Sequence, residues 1–417
     1  MKLQNVLVVG SGGREFAIAK KLKQSAKVDR VYCAPGNAGM VSAGVEPVAI
    51  EEQDFAWLIQ FAKDHQVAWT FVGPEDALVA GIVDEFQRAG LKIFGPQARA
   101  AQLEGSKEYA LSFMNKYGVP TARHQTFETE ADALVHVADY GFPVVLKVDG
   151  LAGGKGVVIA DDQATATVTI KEMFQGHPGR LVLEECLIGP EYSMFVLIEN
   201  GDYQILPLAQ DHKRAYDGDK GPNTGGMGAY SPVPQLSDSD RKRMVDEVVE
   251  PSVRGLVAGD YHYHGILYIG LMLTKEGPKV IEYNVRLGDP ETQVILPRLA
   301  TDLFDLVDAC VNDRTLPEVV EKPDAVLGVV VAAKGYPQAP VTGQVLPVFP
   351  LTSGIDVAYA NVAGKAGHLT GSGGRILMVT ATAATIEAAQ GQVYDYLDHL
   401  ELADCQYRHD IGNKALQ

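Results

Sequence analysis

Long apolar runs, paired cysteines and basic stretches are what this sequence has least of. Its longest apolar run, near residues 325–333, falls well short of the roughly 20 residues that span a bilayer as a helix. No membrane partner is therefore expected. Only four cysteines occur in 417 residues: Cys33, Cys186, Cys310 and Cys405. They stand far apart, match no metal-ligand spacing and suggest no disulfide framework, which suits a reducing compartment. The opening Met1-Lys2-Leu3-Gln4-Asn5 runs straight into a strand pattern, without the apolar stretch of a secretion signal, so a cytoplasmic location is expected. Lys and Arg number 36 against 53 Asp and Glu, a net charge of −17. That sign argues against nucleic acid as a partner. Any anionic ligand must be gripped by a local cationic cluster working against the overall field. Charged residues make up 21% and hydrophobic residues 46%, a balance that supports buried cores rather than disorder. At about 150 residues per domain, the length implies roughly three domains.

What the chain does have is glycine, 43 residues of it, gathered into a few loops. In the first hundred residues strand patterns at 5–9, 28–33, 68–72 and 91–94 each end in a turn rich in glycine or proline. Helical patterns lie between them, including 54–65 with Asp54 as N-cap, and 77–89. This alternation predicts a parallel sheet with helices on both faces, and ligands of such sheets sit at the strand ends. From about residue 104 the pattern changes. A helix is expected over 107–117. Strands follow at 144–148 and 157–159, joined by the glycine-rich loop 149–156, and then at 181–185, 192–199, 266–274 and 279–284. Helices are expected over 238–258 and 302–312. This middle third reads as α+β and mostly antiparallel. A charged, proline-bearing stretch, 315–324, leads to a last unit with strands near 326–333 and 375–380 and a helix near 385–399.

Five segments carry chemistry. Gly10-Ser11-Gly12-Gly13-Arg14-Glu15 resembles a dinucleotide fingerprint but has Glu15 where a glycine is required, and no acid closes the second strand, so a nicotinamide site is rejected. The loop can still cradle a phosphate or carboxylate with backbone N–H groups. Gly150-Leu151-Ala152-Gly153-Gly154-Lys155-Gly156 lacks the spacing of a P-loop and its Ser or Thr. As a hairpin tip it offers backbone donors and the Lys155 charge to a triphosphate, and Lys147 on the preceding strand adds a second charge. The segment from Leu181 through Glu184, Glu185 and Leu187 to Glu191 can supply an extended hinge for adenine and a carboxylate for ribose hydroxyls. Residues 211–228 read as a long polar loop, in which the two adjacent cations Lys213 and Arg214 suggest an anionic ligand. In Glu282-Tyr283-Asn284-Val285-Arg286 the alternate residues share one strand face. Glu282 and Asn284 are hard oxygen ligands suited to Mg²⁺, and Arg286 beside them can clamp a carboxylate in a bidentate fork.

Together these segments resemble the ATP-grasp ligases, and among them the family of phosphoribosylamine–glycine ligases, from Val6 to about Gly412. The marks are Gly12-Gly13-Arg14-Glu15, Ala34-Pro35-Gly36-Asn37-Ala38-Gly39, Gly73-Pro74-Glu75, Lys147-Val148-Asp149-Gly150 and, most diagnostic, the stretch from Gln210 to Pro232. The resemblance implies an α/β and α+β multidomain fold. A Rossmann-like substrate-binding domain would span 1–103, an ATP-grasp domain 104–314 with a small lid at about 121–190, and a C-terminal domain 315–417 packing back on the first. It implies ATP with Mg²⁺ or Mn²⁺ as cofactors, and glycine and 5-phosphoribosylamine as substrates. Lys107, Lys147, Lys155, Glu184, Glu185, Leu187 and Glu191 match nucleotide contacts, and Glu282 and Asn284 match metal ligands. Arg286, Asp289 and Lys155 match catalytic positions. Gly12, Gly13, Asn37, Glu75, Asp211, Lys213 and Arg286 match substrate contacts. Phe16 departs from the family, which usually has histidine there. The expected reaction is ATP-dependent phosphorylation of glycine, then attack by the sugar amine on the glycyl phosphate, in purine biosynthesis. A monomer is expected, with transient contact to the amidotransferase that precedes it. A different small acid as substrate is the alternative within the superfamily.

Overall fold

The computed structural model describes residues 3–153, 156–176, 179–365 and 367–416. The first unit is a five-stranded parallel sheet. Its spatial order is Glu46–Pro47, Val28–Pro35, Gln4–Gly10, Val67–Val72 and Ile93–Phe94. Val6 to Val9 are fully buried because helices cover both faces, which is why the strand reads as an unbroken apolar run. Strand order reverses beside Gln4–Gly10. The loops that open there, 10–13 and 73–75, therefore face the crevice where such sheets take ligands. The helix expected over 77–89 is two helices, Glu75–Val79 and Ile82–Arg88, separated at Gly81, whose φ of +90° turns the chain left-handed. Asp54 does sit at the N-cap of Phe55–Asp64, but its side chain makes no capping bond.

Two antiparallel sheets form the middle. The smaller runs His124–Phe127, Leu181–Glu185, Val144–Val148, Val157–Ala160. It has its own core of Phe127, Val144, Leu146, Ile170 and Leu183, under the helices Glu130–His136 and Gln163–Gly176. A separate core lets this sheet behave as a unit. The larger sheet runs Asp202–Ile205, Glu191–Glu199, His264–Thr274, Gly277–Asn284. The helix expected over 238–258 is interrupted by a π turn at Val245–Val249 ahead of Pro251, whose missing N–H cannot continue a regular α ladder.

The last sheet orders Gln210–Asp211, Gly228–Ser231, Ala325–Ala333, Arg375–Ala383 and Ile355–Tyr359, with Cys405–Gln406 pairing the end of Ala325–Ala333. Two of its strands thus come from the middle of the chain. The stretch read as a polar loop is in part a hairpin, Arg214–Tyr216 against Lys220–Asn223. Alternating glycine and polar residues hid the strand period. The C-terminal unit also reaches the first: Phe16 packs edge-on against Tyr359, and Lys20 pairs with Asp356 at 2.5 Å.

Candidate active site

A cleft of about 930 Å³ opens between the two middle sheets and extends to the first and last units. Lys147 hangs from the strand Val144–Val148, buried, and its ammonium lies 2.8 Å from Glu184 and donates to the Ile281 carbonyl at 3.0 Å. Lys107, the first residue of its helix, donates to the Gly150 carbonyl at 2.8 Å. Burial lowers its pKa, countered by Glu282. Glu185 accepts from the Arg123 backbone N–H at 3.0 Å and lies 3.4 Å from Lys279. The strand Leu181–Glu185 ends here, and Leu187 and Glu191 continue the cleft wall.

Glu282, Asn284 and Arg286 all line this cleft. Glu282 is 42% accessible along its side chain, and Lys213 lies 3.6 Å from it. Burial would raise the Glu282 pKa, but Lys213, Lys147, Lys107 and Arg286 outweigh it and hold the carboxylate down. An ionised carboxylate and an amide oxygen on one wall, facing a cluster that already balances a cation against acid, fit a small divalent ion. Lys213 also pairs with Glu191. Asp211, beside it, is buried among Glu291, Glu191 and Glu282, and its pKa is raised by that burial.

The far end of the cleft is knitted from distant segments. Arg286 donates from Nε to Glu75 at 3.0 Å, lies 2.7 Å by Nη2 from Glu104, and donates from Nη1 to the Leu287 carbonyl at 3.3 Å. The bidentate fork expected for a ligand is thus already engaged by the protein's own acids, which fix the guanidinium and leave only its remaining N–H groups for a ligand. Burial favours the neutral form of Glu75, yet Arg286 and Arg14 hold its pKa at about 2. Asp289 is likewise held low, by Arg375 and Arg14 against its burial. Arg375 lies 2.8 Å from Asp289 Oδ2 and donates to the carbonyls of Asp289 at 2.7 Å and Gly225 at 2.6 Å.

Lys107, Lys147, Glu184, Glu185, Leu187, Glu191, Asp211, Lys213, Glu282, Asn284, Arg286, Asp289 and Glu75 therefore share one cleft. Among the described residues, Gly12, Gly13 and Asn37 do not line it. The Gly12 N–H donates to Glu15 at 2.8 Å. A side chain on Gly13 would meet Gln293 at 2.9 Å. Asn37 donates to the Ser11 and Tyr359 carbonyls and accepts from the Gly39 N–H. These groups brace the wall behind Arg14. Lys155 lies outside the described residues. Arg14, Glu104, Glu291 and Arg375 escaped the sequence reading. Glu104 and Arg375 are isolated charged residues with no local motif, whereas Arg14 stands in the loop 10–15 and Glu291 ends the segment 281–291 that carries Glu282, Asn284 and Arg286.

A lysine-lined cleft between two antiparallel α+β sheets, joined to a Rossmann-like first unit, defines an ATP-grasp enzyme. Domain profiles described as "Phosphoribosylglycinamide synthetase" match its N domain at residues 4–104, its ATP-grasp (A) domain at 105–292 and its C domain at 326–414. The chain belongs to this family. It is 47% identical over 413 residues to a phosphoribosylamine–glycine ligase of Lactococcus lactis, covering 99% of this chain and 100% of that one. A protein of the same name from Streptococcus pneumoniae is 48% identical over 420 residues, again with 99% and 100% coverage. The crystal structure of the Thermotoga maritima phosphoribosylamine–glycine ligase superposes with a TM-score of 0.83 at 34% identity, covering 98% of this chain and 100% of that one. The biotin carboxylase domain of a Hydrogenobacter thermophilus 2-oxoglutarate carboxylase shares the fold, with a TM-score of 0.75 at 16% identity and coverage of 98% and 92%.

Proposed function

We propose that this chain joins glycine to 5-phosphoribosylamine at the expense of ATP, giving glycinamide ribonucleotide, ADP and phosphate. The observation that carries it is the cleft itself. Nucleotide-type lysines and a hard-oxygen pair occupy one end, and an arginine-rich acid site occupies the other. A carboxylate is a poor electrophile, so it must first be phosphorylated. A glycine carboxylate oxygen attacks the γ-phosphorus of ATP, and the bond to the β,γ-bridging oxygen breaks with release of ADP. The sugar amine then attacks the acyl carbon of glycyl phosphate, loses a proton, and phosphate leaves. Positioning and charge neutralisation do most of such work.

Lys107 and Lys147 meet the phosphates, and Lys155 is assigned with them and with closure over the acyl phosphate from the resemblance. Glu184, Glu185 and Leu187 take the adenine, and Glu191 the ribose. Glu282 and Asn284 would hold Mg²⁺ or Mn²⁺, which when bound neutralises phosphate charge. The free N–H groups of Arg286, with Asp289, orient glycine. Asp211, Lys213 and Glu75 serve the phosphoribosylamine side, and Gly12, Gly13 and Asn37 shape its wall. The domain limits 1–103, 104–314 and 315–417, a monomeric state, a cytoplasmic location and a transient handover from the preceding amidotransferase complete the reading. Among the described residues no helix is long and apolar enough to cross a membrane. The test is ADP release with glycine and freshly made phosphoribosylamine, each omitted in turn. Full turnover is expected only with both, and ADP release that ignores glycine would defeat the assignment.

A further inference from the structure

Away from the cleft, three side chains suited to a borderline-soft divalent ion converge where the larger middle sheet meets the helix Leu303–Cys310. Glu199 ends the strand Glu191–Glu199, and His264 begins His264–Thr274. The two residues face each other across the antiparallel ladder, so both side chains leave the same face of the sheet. Cys310 closes the helix packed above them. Glu199 and Cys310 are buried, and His264 is partly open to solvent. A single carboxylate oxygen, Glu199 Oε2, accepts from His264 Nδ1 at 2.5 Å and from Cys310 Sγ at 3.5 Å. One ligand atom from each residue falls within 4.8 Å of the others. Asp313, in the exposed turn beyond the helix, brings Oδ1 to 4.0 Å from His264 Nδ1. Among the described residues none of these four lines the cleft, and the proposed reaction has no use for them.

We propose that Glu199, His264 and Cys310 form a second metal site, which takes a Zn²⁺-class ion with solvent in the fourth position. The donor set decides the class. Thiolate and imidazole select zinc-like ions over Mg²⁺, whereas Glu282 and Asn284 offer only hard oxygens. The exchange balances. The ion enters, the protons on His264 Nδ1 and on the Cys310 thiol leave to solvent, and bonds form to nitrogen, sulfur and a carboxylate oxygen. Two protons leave as one divalent ion enters, so the net charge of the site is the same before and after. No uncompensated charge is buried by the exchange, which removes the usual objection to a charged interior site. Ligand bonds of about 2.0–2.3 Å require the donors to stand further apart than a hydrogen-bonded pair. His264, at a strand end and partly open, is the residue with room to give, and Asp313 marks the solvent route in. A bound ion would pin the helix to the sheet and stabilise the fold by mass action.

The test uses the metal-free full-length chain. Titration with Co²⁺ is expected to develop one equivalent of a thiolate-to-cobalt charge-transfer band in the near ultraviolet, with the visible bands of tetrahedral cobalt. Zn²⁺ should displace it one for one, while excess Mg²⁺ should not. Zn²⁺ should raise the melting temperature of the wild type but not of Cys310→Ser. Cys310→Ser should lose the band yet keep Mg²⁺-supported turnover. His264→Gln keeps the thiol and should weaken Co²⁺ binding by more than an order of magnitude, which preserves the test should Cys310→Ser fold poorly. Absence of the band in the wild type overturns the proposal. So does a band that survives Cys310→Ser, since it would place the thiolate on Cys33, Cys186 or Cys405.

Discussion

The two ends of the cleft are built by different rules. At the lysine-lined end the side chains arrive from strands of the two facing middle sheets: Lys147 on Val144–Val148, Glu184 and Glu185 on Leu181–Glu185, and Glu282 and Asn284 on Gly277–Asn284. Alternation puts Glu282 and Asn284 on one face of their strand. At the other end Arg14 and Glu75 come from the first unit, Arg286 and Asp289 from the middle and Arg375 from the last. There no single element sets the geometry. Mutual ion pairs between distant segments do. The first end therefore depends only on how the two middle sheets face each other, whereas the far end is assembled only when all three units are in register.

The largest break in this contrast is expected at Glu282. Glu282→Ala removes the carboxylate that faces Lys213, Lys147 and Lys107 and should lower kcat on the order of 10³-fold, the scale for losing a preorganised charge at a phosphoryl centre. Circular dichroism and melting temperature should stay near wild type, because the strand persists. Normal turnover would remove Glu282 from the metal site.

Arg375→Ala should act at the other end. It frees Asp289 and the Gly225 carbonyl together. A displacement of about 1 Å is worth roughly 10² in rate, so kcat/KM for glycine should fall by about that factor. ATP affinity, read by calorimetry, should barely move, and Arg375→Lys should restore part of the loss. Parallel loss of ATP affinity would show that the two ends are not separable.

A smaller effect separates them by pH. Glu75 is held at about 2 by Arg286 and Arg14, below its ordinary 4.5. A depressed carboxylate adds stability that is present above the unfolded value and is lost as pH falls through the folded one. Glu75→Gln should therefore flatten the fall in stability between about pH 4.5 and pH 2, measured by denaturant midpoints across pH. Asp410, held at about 2 by Arg408 and the Gly218 N–H against its burial, titrates in the same window and must be intact in the comparison. An unchanged acid limb would mean that the Arg14–Arg286 cluster does not stabilise the fold.

The same contrast explains what could be read from the chain. The strand at 181–185 and the helix at 107–117 were legible to the residue, because apolar periodicity is a local signal. The residues named on the strands 144–148, 181–185 and 277–284 do line one cleft, because strand patterns are local signals too. Arg375 was not: it opens a strand whose remaining residues are core, and its partners lie 86 and 150 residues away. Glu104 and Glu291 are single acids in helical surroundings, indistinguishable in sequence from solvated ones. Asn37 and Gly13 looked like ligand groups, and the structure spends them on packing and backbone bonds, because a glycine turn that must pass under Gln293 needs the same residues as one that cradles an anion. Gly228–Ser231 was missed as a strand because its partner, Ala325–Ala333, is about a hundred residues on, and the two-residue Gln210–Asp211 pairs only through Gly228–Ser231.

The smallest effect is expected at His212, which lies between two cleft residues but faces away from them. Alternation sends Asp211 and Lys213 into the cleft and His212 into the packed side, where it is buried and, among the described residues, neither ring nitrogen has a partner. Burial lowers its pKa to about 3, helped by Lys414 and Arg408. Between about 6.5 and 3 the unfolded chain binds this proton and the folded chain does not. Stability thus rises with pH there and is lost as pH falls from 6.5, at no more than ~1.4 kcal/mol per pH unit for one proton. His212→Met keeps the bulk and removes the titration. Its stability should fall less steeply over that interval, read between about pH 6.5 and 4.5, above the window in which Glu75→Gln acts, while turnover near neutrality stays close to wild type. Should the variant instead lose turnover at pH 7.5 with its melting temperature unchanged, the imidazole would belong to the working face of the cleft, and the boundary drawn here between wall and site would have to move past residue 212.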